Sequence, residues 1–162
     1  MKFWYLFLFA LLSMAIVSCQ KSNDVSKIPQ ISLLYFGAGD GTDSVTVNKD
    51  TAFLVFTITD GDGDLGNDQS GTVYDIYIKD NRFGNYVGYF FPDFDKSIED
   101  PKKGLTGTCQ FDFTPDLISP RTRVDTANKP ITRDTTSFEF YIVDRAGHQS
   151  NHQTTGPIFM HP

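Results

Sequence analysis

Glutamate is nearly missing. Of the 20 acidic residues in this 162-residue chain only Glu99 and Glu139 are Glu, and the rest are Asp. Asp disfavours helix interiors and favours turns and oxygen-ligand metal sites, which argues against a helical bundle. Basic residues are in deficit as well. The 14 Lys and Arg leave a net charge of −6, which argues against the basic face a nucleic-acid partner needs, and no nucleic acid is expected. Cysteine is limited to Cys19 and Cys109. There is no G-x-S-x-G, no H-E-x-x-H and no phosphate-binding glycine loop; the glycine-rich stretch 37–41 carries an Asp where an anion would sit. No window holds a helical period with caps. What the chain does have is 14% aromatic residues, mostly Phe, which suits a packed core and excludes disorder for the bulk of the chain.

The N-terminus is set apart from the rest. Lys2 precedes an apolar run from Phe3 to Val17 broken only by Ser13. About 20 residues are needed for a helix to cross a bilayer, so the run is short for a span and reads as a secretory signal. It ends Ile16-Val17-Ser18-Cys19, which resembles the lipobox of bacterial lipoproteins. The resemblance implies cleavage after residue 18 and a covalent lipid on Cys19, a thiol being the nucleophile that accepts a diacylglyceryl group. Two or three acyl chains anchor a protein stably where one does not. Residues 19–27 are small and polar and read as a flexible tether, with the folded domain at 28–162. With Cys19 lipidated, Cys109 has no disulfide partner and is expected on the core side of a strand.

The body reads as short strands: 31–36, 44–47, 52–59, 73–79, 86–91, 105–113, 137–143 and 157–160. Residues 52–59 are the strongest of these, β-branched and aromatic. In 73–79 the alternation puts Tyr74, Ile76 and Ile78 on one face and Asp75 and Lys79 on the other. In 137–143 it puts Phe138, Phe140 and Ile142 inward and Glu139 and Tyr141 outward. Residues 115–135 are the least regular, with four basic residues (Arg121, Arg123, Lys129, Arg133), and read as a connection between sheets tacked down by Ile118, Val124 or Ile131. The expectation is an all-β fold, an Ig-like antiparallel β-sandwich of seven to eight strands. A small closed barrel is the other architecture such a pattern allows.

One segment carries metal chemistry. After the strongest strand, Asp60, Asp62 and Asp64 alternate with Gly61 and Gly63. Three carboxylates at every second position can turn to one point, the glycines allow the wrap, and their mutual repulsion is relieved by a divalent cation. Oxygen-only ligands favour Ca²⁺ over zinc or copper. The loop is not an EF-hand, because Leu65 and Gly71 stand at the sixth and twelfth places and a β-run precedes it. The ordinary alternative is a solvated Asp-Gly turn. A second turn, Asp144 to Gly147, follows the late strand; by itself it is a common β-turn. In an Ig-like sandwich the loops after the second and the penultimate strands share one end. If 52–59 and 137–143 are those strands, Asp144 joins Asp60, Asp62 and Asp64 around one Ca²⁺, with affinity on the order of 10⁻⁴ to 10⁻³ M.

These residues also carry a resemblance. A strand followed by TDGDGDLG (59–66) and a late strand followed by VDRAGHQSN (143–151) resemble the paired signatures of uncharacterised Bacteroidetes lipoproteins built on an Ig-like sandwich. The likeness covers most of 28–162. Asp60, Asp62, Asp64 and Asp144 match its acidic positions, and His148 stands where such sequences more often show Asn. It implies a cell-envelope protein, lipid-anchored at the outer membrane on its periplasmic face or at the cell surface.

Catalysis is not expected. His148 and His152 are four apart, but in a turn or strand that spacing separates side chains by about 13 Å. Two binding roles remain. One is a Ca²⁺-stabilised Ig-like module displayed for contact with an unknown protein. The other is a glycan-binding accessory lipoprotein of an outer-membrane sugar uptake system, suggested by the ring-rich stretch 85–94, NYVGYFFPDF. Core packing is the simpler account of those rings; an exposed row of Tyr86, Tyr89 or Phe90 favours sugars.

Overall fold

The computed structural model describes residues 25–39, 41–47, 49–67, 69–91, 104–113, 128 and 133–161. The expected leader at 1–18, Cys19 and most of the expected tether at 19–27 lie outside the described residues, as do Ile118, Val124, Ile131, Arg121, Arg123 and Lys129.

The described residues form ten strands: β1 (Gln30–Ala38), β2 (Ser44–Thr46), β3 (Ala52–Asp60), β4 (Ile76–Asp80), β5 (Tyr86–Tyr89), β6 (Leu105–Phe113), β7 (Asp134–Thr136), β8 (Phe138–Ile142), β9 (Gln153–Thr154) and β10 (Ile158–His161). There is no helix among the described residues, and so none long and apolar enough to cross a membrane. The fold is an all-β sandwich. One sheet has the order β1-β3-β6, the second β5-β4-β8-β9, and a small third β2-β10-β7.

The two larger sheets are antiparallel throughout. Their inner faces meet through aromatic rings, Phe56 on Phe140 at 5.2 Å, Phe36 on Phe138 at 5.2 Å and Phe113 on Phe138 at 5.1 Å. These separations suit edge-to-face and tilted packing, which avoids repulsion between ring faces. On β3 every second residue is buried, running Ala52, Leu54, Phe56, Ile58 and Asp60. β8 answers with Phe138, Phe140 and Ile142. A strand with a two-residue period facing one core gives this pattern.

The expected sandwich is present, with three corrections. The described strands number ten, because β7 and β9, of three and two residues, are too short to register as periodic runs. The pairing is not all antiparallel: β10 runs parallel to β2 while pairing antiparallel with β7. The third concerns 73–79. Pairing there is regular only from Ile76, Tyr74 is exposed and Asp75 is buried, the reverse of the expected faces. Asp75 turns inward because three donors await it: the Asn67 backbone N–H at 2.6 Å, the Asn67 side-chain amide at 2.8 Å and the Phe91 N–H at 2.7 Å. A fully hydrogen-bonded buried carboxylate is tolerated where a bare one is not. Tyr74 swings to the outer face and lies where a side chain on Gly88 would otherwise stand.

Cys109 is on the core-facing side of β6, half-buried, as its alternation implies. Burial pushes its thiol up to about 12, so it is a protonated packing group at neutral pH.

Candidate metal centre

The strand that places Ala52, Leu54, Phe56 and Ile58 in the core ends in a charge. Asp60 continues the inward row of β3 and is fully buried, at 0% exposure. The chain then turns away through Gly61, whose N–H donates to the Ser26 carbonyl at 2.8 Å. A Cβ on Gly61 would stand 2.2 Å from the Val25 carbonyl oxygen, so only glycine fits between β3 and the segment entering the domain. Gly63 (φ 64°) and Gly66 (φ 81°) adopt left-handed backbone, which glycine does without penalty. These bends fold Asp62 and Asp64 back over Asp60. The Asp64 N–H donates to Asp60 Oδ2 at 3.1 Å, and the buried Leu65 plugs the loop into the core.

The turn after β8 closes the site. Asp144 is buried, at 1% exposure, and Gly147 (φ 86°) completes its turn with an N–H bond to the Asp144 carbonyl at 3.1 Å. The two loops are stitched together: the Arg145 N–H donates to the Asp64 carbonyl at 3.0 Å. The four carboxylates of Asp60, Asp62, Asp64 and Asp144 converge, each offering an oxygen, with these oxygens all within 4.8 Å of one another. The expectation that two turns distant in sequence meet at one end of the sandwich is met, although β3 is third and β8 eighth of the ten strands.

The electrostatics of the cluster are unfavourable as they stand. Burial, followed by repulsion from Asp62, Asp64 and Asp144, raises the Asp60 carboxyl to about 6. Asp64 is raised by the same two causes, burial first. One oxygen on each of Asp60, Asp62 and Asp64 is buried with no hydrogen-bond partner. Protein interiors seldom leave carboxylate oxygens bare, because each forfeits its hydration without replacement. Three bare oxygens on three carboxylates of a cluster whose members can bring oxygens within 4.8 Å of one another make a donor set that can hold a metal ion.

His148 joins the site in a way the sequence does not announce. Its backbone N–H donates to Asp144 Oδ1 at 2.7 Å, and its Nδ1 lies 2.8 Å from Asp144 Oδ2. The Asp144 hydrogen bond holds the imidazole above its ordinary range. The four-residue spacing of Asp144 and His148 around a tight turn carries this contact, and it is visible in the sequence only once the turn is known. His152 belongs elsewhere, beside Glu139, so the two histidines form no pair. Of the ring-rich stretch, Phe91 is buried, Tyr89 packs toward Phe111 at 4.9 Å in the core, and Tyr86 faces outward; Pro92 to Phe94 lie outside the described residues. No protein-family model, curated protein or solved structure matches this chain.

Proposed function

We propose that this chain is a lipid-anchored cell-envelope lipoprotein, tethered through Cys19 at the outer membrane, that displays an Ig-like module stiffened by Ca²⁺ for contact with another molecule. The observation that carries the metal reading is the trio of buried, unpartnered carboxylate oxygens on Asp60, Asp62 and Asp64, joined by Asp144 from the other sheet. All four donors are carboxylate oxygens, which suits a hard cation. The glycine-rich loop that carries Asp62 and Asp64 suits the adaptable coordination of Ca²⁺ better than the strict octahedron of Mg²⁺. Because Asp60 ends a strand of one sheet and Asp144 follows a strand of the other, an ion between them ties the sandwich at one end. The anchor reading rests on the sequence 1–19 and on its resemblance to lipoprotein signals.

Calorimetric titration of Ca²⁺ into the wild type and Asp62→Ala tests the metal. Binding heat is expected for the wild type, with affinity on the order of 10⁻⁴ to 10⁻³ M, and its loss in the variant. No heat in either protein, or equal heat in both, rejects the site. Mass spectrometry of the protein from membranes tests the anchor: the expected mass lacks residues 1–18 and carries a lipid on Cys19.

A further inference from the structure

The segment that leads into the domain ends against the acidic loop. β1 starts at Gln30, opposite Thr59 of β3. The next residue outward, Pro29, has no N–H with which to continue the ladder. The two chains meet once more beyond it, where the Gly61 N–H donates to the Ser26 carbonyl at 2.8 Å. Ser26 Oγ accepts the Ile28 N–H at 3.1 Å, which folds 26–28 into a turn. Burial adds little here, since Val25 and Ile28 are 40% and 47% exposed. Among the described residues the Ser26–Gly61 bond is the backbone hydrogen bond that joins 25–28 to the rest of the domain.

Gly61 belongs to the loop that gathers the carboxylates, between Asp60 and Asp62 of the cluster. The Asp60–Gly61 peptide is packed directly by backbone from two other segments. A Cβ on Gly61 would stand 2.6 Å from the Ser26 carbonyl oxygen, and a Cβ on Gly104 (φ 67°) would stand 2.5 Å from the Asp60 carbonyl oxygen. No side chain lies between to absorb a shift, so a change in the direction of this peptide carries the Gly61 N–H off Ser26. Without an ion the loop has cause to shift. Asp60, Asp62 and Asp64 each hold a buried oxygen with no hydrogen-bond partner, the carboxylates repel one another, and the glycines at 61, 63 and 66 permit other backbone angles. A divalent cation replaces that repulsion with shared attraction and fixes the loop.

We infer that Ca²⁺ at this site latches the entry segment to the domain: with the ion bound Ser26 stays on Gly61, and without it 25–28 detach and the chain is released as far as Pro29. This regulation rests on the metal reading proposed above. Linkage makes it reciprocal, so docking of the segment raises the affinity for Ca²⁺ by the same factor that Ca²⁺ raises docking. Four released residues add about 13 Å of reach at ~3.3 Å each. For a chain anchored at Cys19, the ion therefore sets how far the domain stands from its membrane.

Endoproteinase Lys-C reads the latch, because Lys27 lies within the segment and is exposed. The full chain in detergent micelles is digested in Ca²⁺ and in EDTA, with fragments followed by mass spectrometry and cleavage after Lys21 as the reference. Calorimetry on the same samples measures Ca²⁺ binding. Cleavage after Lys27, relative to Lys21, is expected to slow by roughly fivefold or more in Ca²⁺, the low end of ordinary coupling between sites, since proteolysis follows the population of the open form. Asp62→Ala should be cleaved at the EDTA rate in both conditions. Gly61→Ala, whose Cβ meets the Val25 and Ser26 carbonyls, should be cleaved rapidly even in Ca²⁺. Wild type already cut after Lys27 should bind Ca²⁺ more weakly than the intact chain by a similar factor. A wild type that binds Ca²⁺ yet shows equal relative cleavage in Ca²⁺ and EDTA overturns the latch and leaves the metal centre standing. A cut chain of undiminished affinity, or a Gly61→Ala protein protected as fully as the wild type, does the same. No binding heat in the wild type rejects the metal centre, and the latch with it.

Discussion

Replacing Asp60 by asparagine should make the metal-free protein more stable at neutral pH while weakening the proposed metal site. The reasoning starts from the raised carboxyl of Asp60, about 6 in the folded chain against an ordinary 3.8. A group whose folded pKa is raised is protonated more readily in the native state than in the unfolded state. Between pH 4 and pH 6 the native protein therefore binds the extra proton, and stability falls as pH rises through that window. Two pKa units at about 1.4 kcal/mol each give a loss of about 2–3 kcal/mol by pH 7.5. Asp64 shifts the same way and adds to it. The side-chain amide introduced by Asp60→Asn keeps an oxygen to accept the Asp64 N–H and carries no charge, so the variant escapes this loss. His148, also raised, loses its favourable pairing with Asp144 at higher pH still. That effect is common to both proteins and cancels in the difference. Urea unfolding in EDTA at pH 5 and pH 7.5 reads the effect directly. Asp60→Asn should exceed the wild type at pH 7.5 by about 1 M in midpoint, at slopes usual for a domain of this size, and the gap should narrow at pH 5. Equal midpoints at pH 7.5, or a wild type that gains stability between pH 4 and 6 relative to the variant, would refute the claim that Asp60 is a strained, buried charge.

Three further outcomes follow from the same geometry. Ca²⁺ at 10 mM should stabilise the wild type by about 1.4–2.7 kcal/mol for the affinity range above, raising the melting temperature by roughly 4–10 °C, and should leave Asp62→Ala unmoved in differential scanning fluorimetry. Phe140→Ala removes a fully buried ring packed on Phe56 and should cost about 3–5 kcal/mol in chemical denaturation. Asp75→Ala strands the Asn67 and Phe91 donors inside the protein; an expected loss of about 3 kcal/mol, measured the same way, distinguishes a structural carboxylate from a surface one.

Much of the architecture is legible in the sequence because alternation and burial are local. β3, β6 and β8 each carry an inward row that a two-residue period exposes, and the sandwich follows from having several such strands with turns between them. The acidic cluster is legible for a related reason: Asp alternating with Gly can turn several carboxylates to one point, and Asp144 opens a turn at the end of an equally clear strand. What escapes is decided by partners remote in the chain. Asp75 looks like a solvent-facing residue until Asn67 and Phe91 bring three N–H groups to it. β7 and β9 exist because β10 and β8 offer them edges, and their own residues show no pattern. The parallel pairing of β2 with β10 joins segments from opposite ends of the domain, and nothing within either records its direction. The outer group of Tyr77, Tyr141, Tyr86 and His152, whose rings pack on one another, comes from three strands and the approach to a fourth, and is a neighbourhood only in three dimensions.

The most direct test of the metal centre is a crystal structure of the protein grown with Ca²⁺, with anomalous differences collected to locate the ion. A single peak bounded by carboxylate oxygens of Asp60, Asp62, Asp64 and Asp144, at the roughly 2.3–2.6 Å typical of Ca²⁺, is the expected result. Carboxylates of these four residues that point apart, or hold only water between them at saturating Ca²⁺, would contradict it.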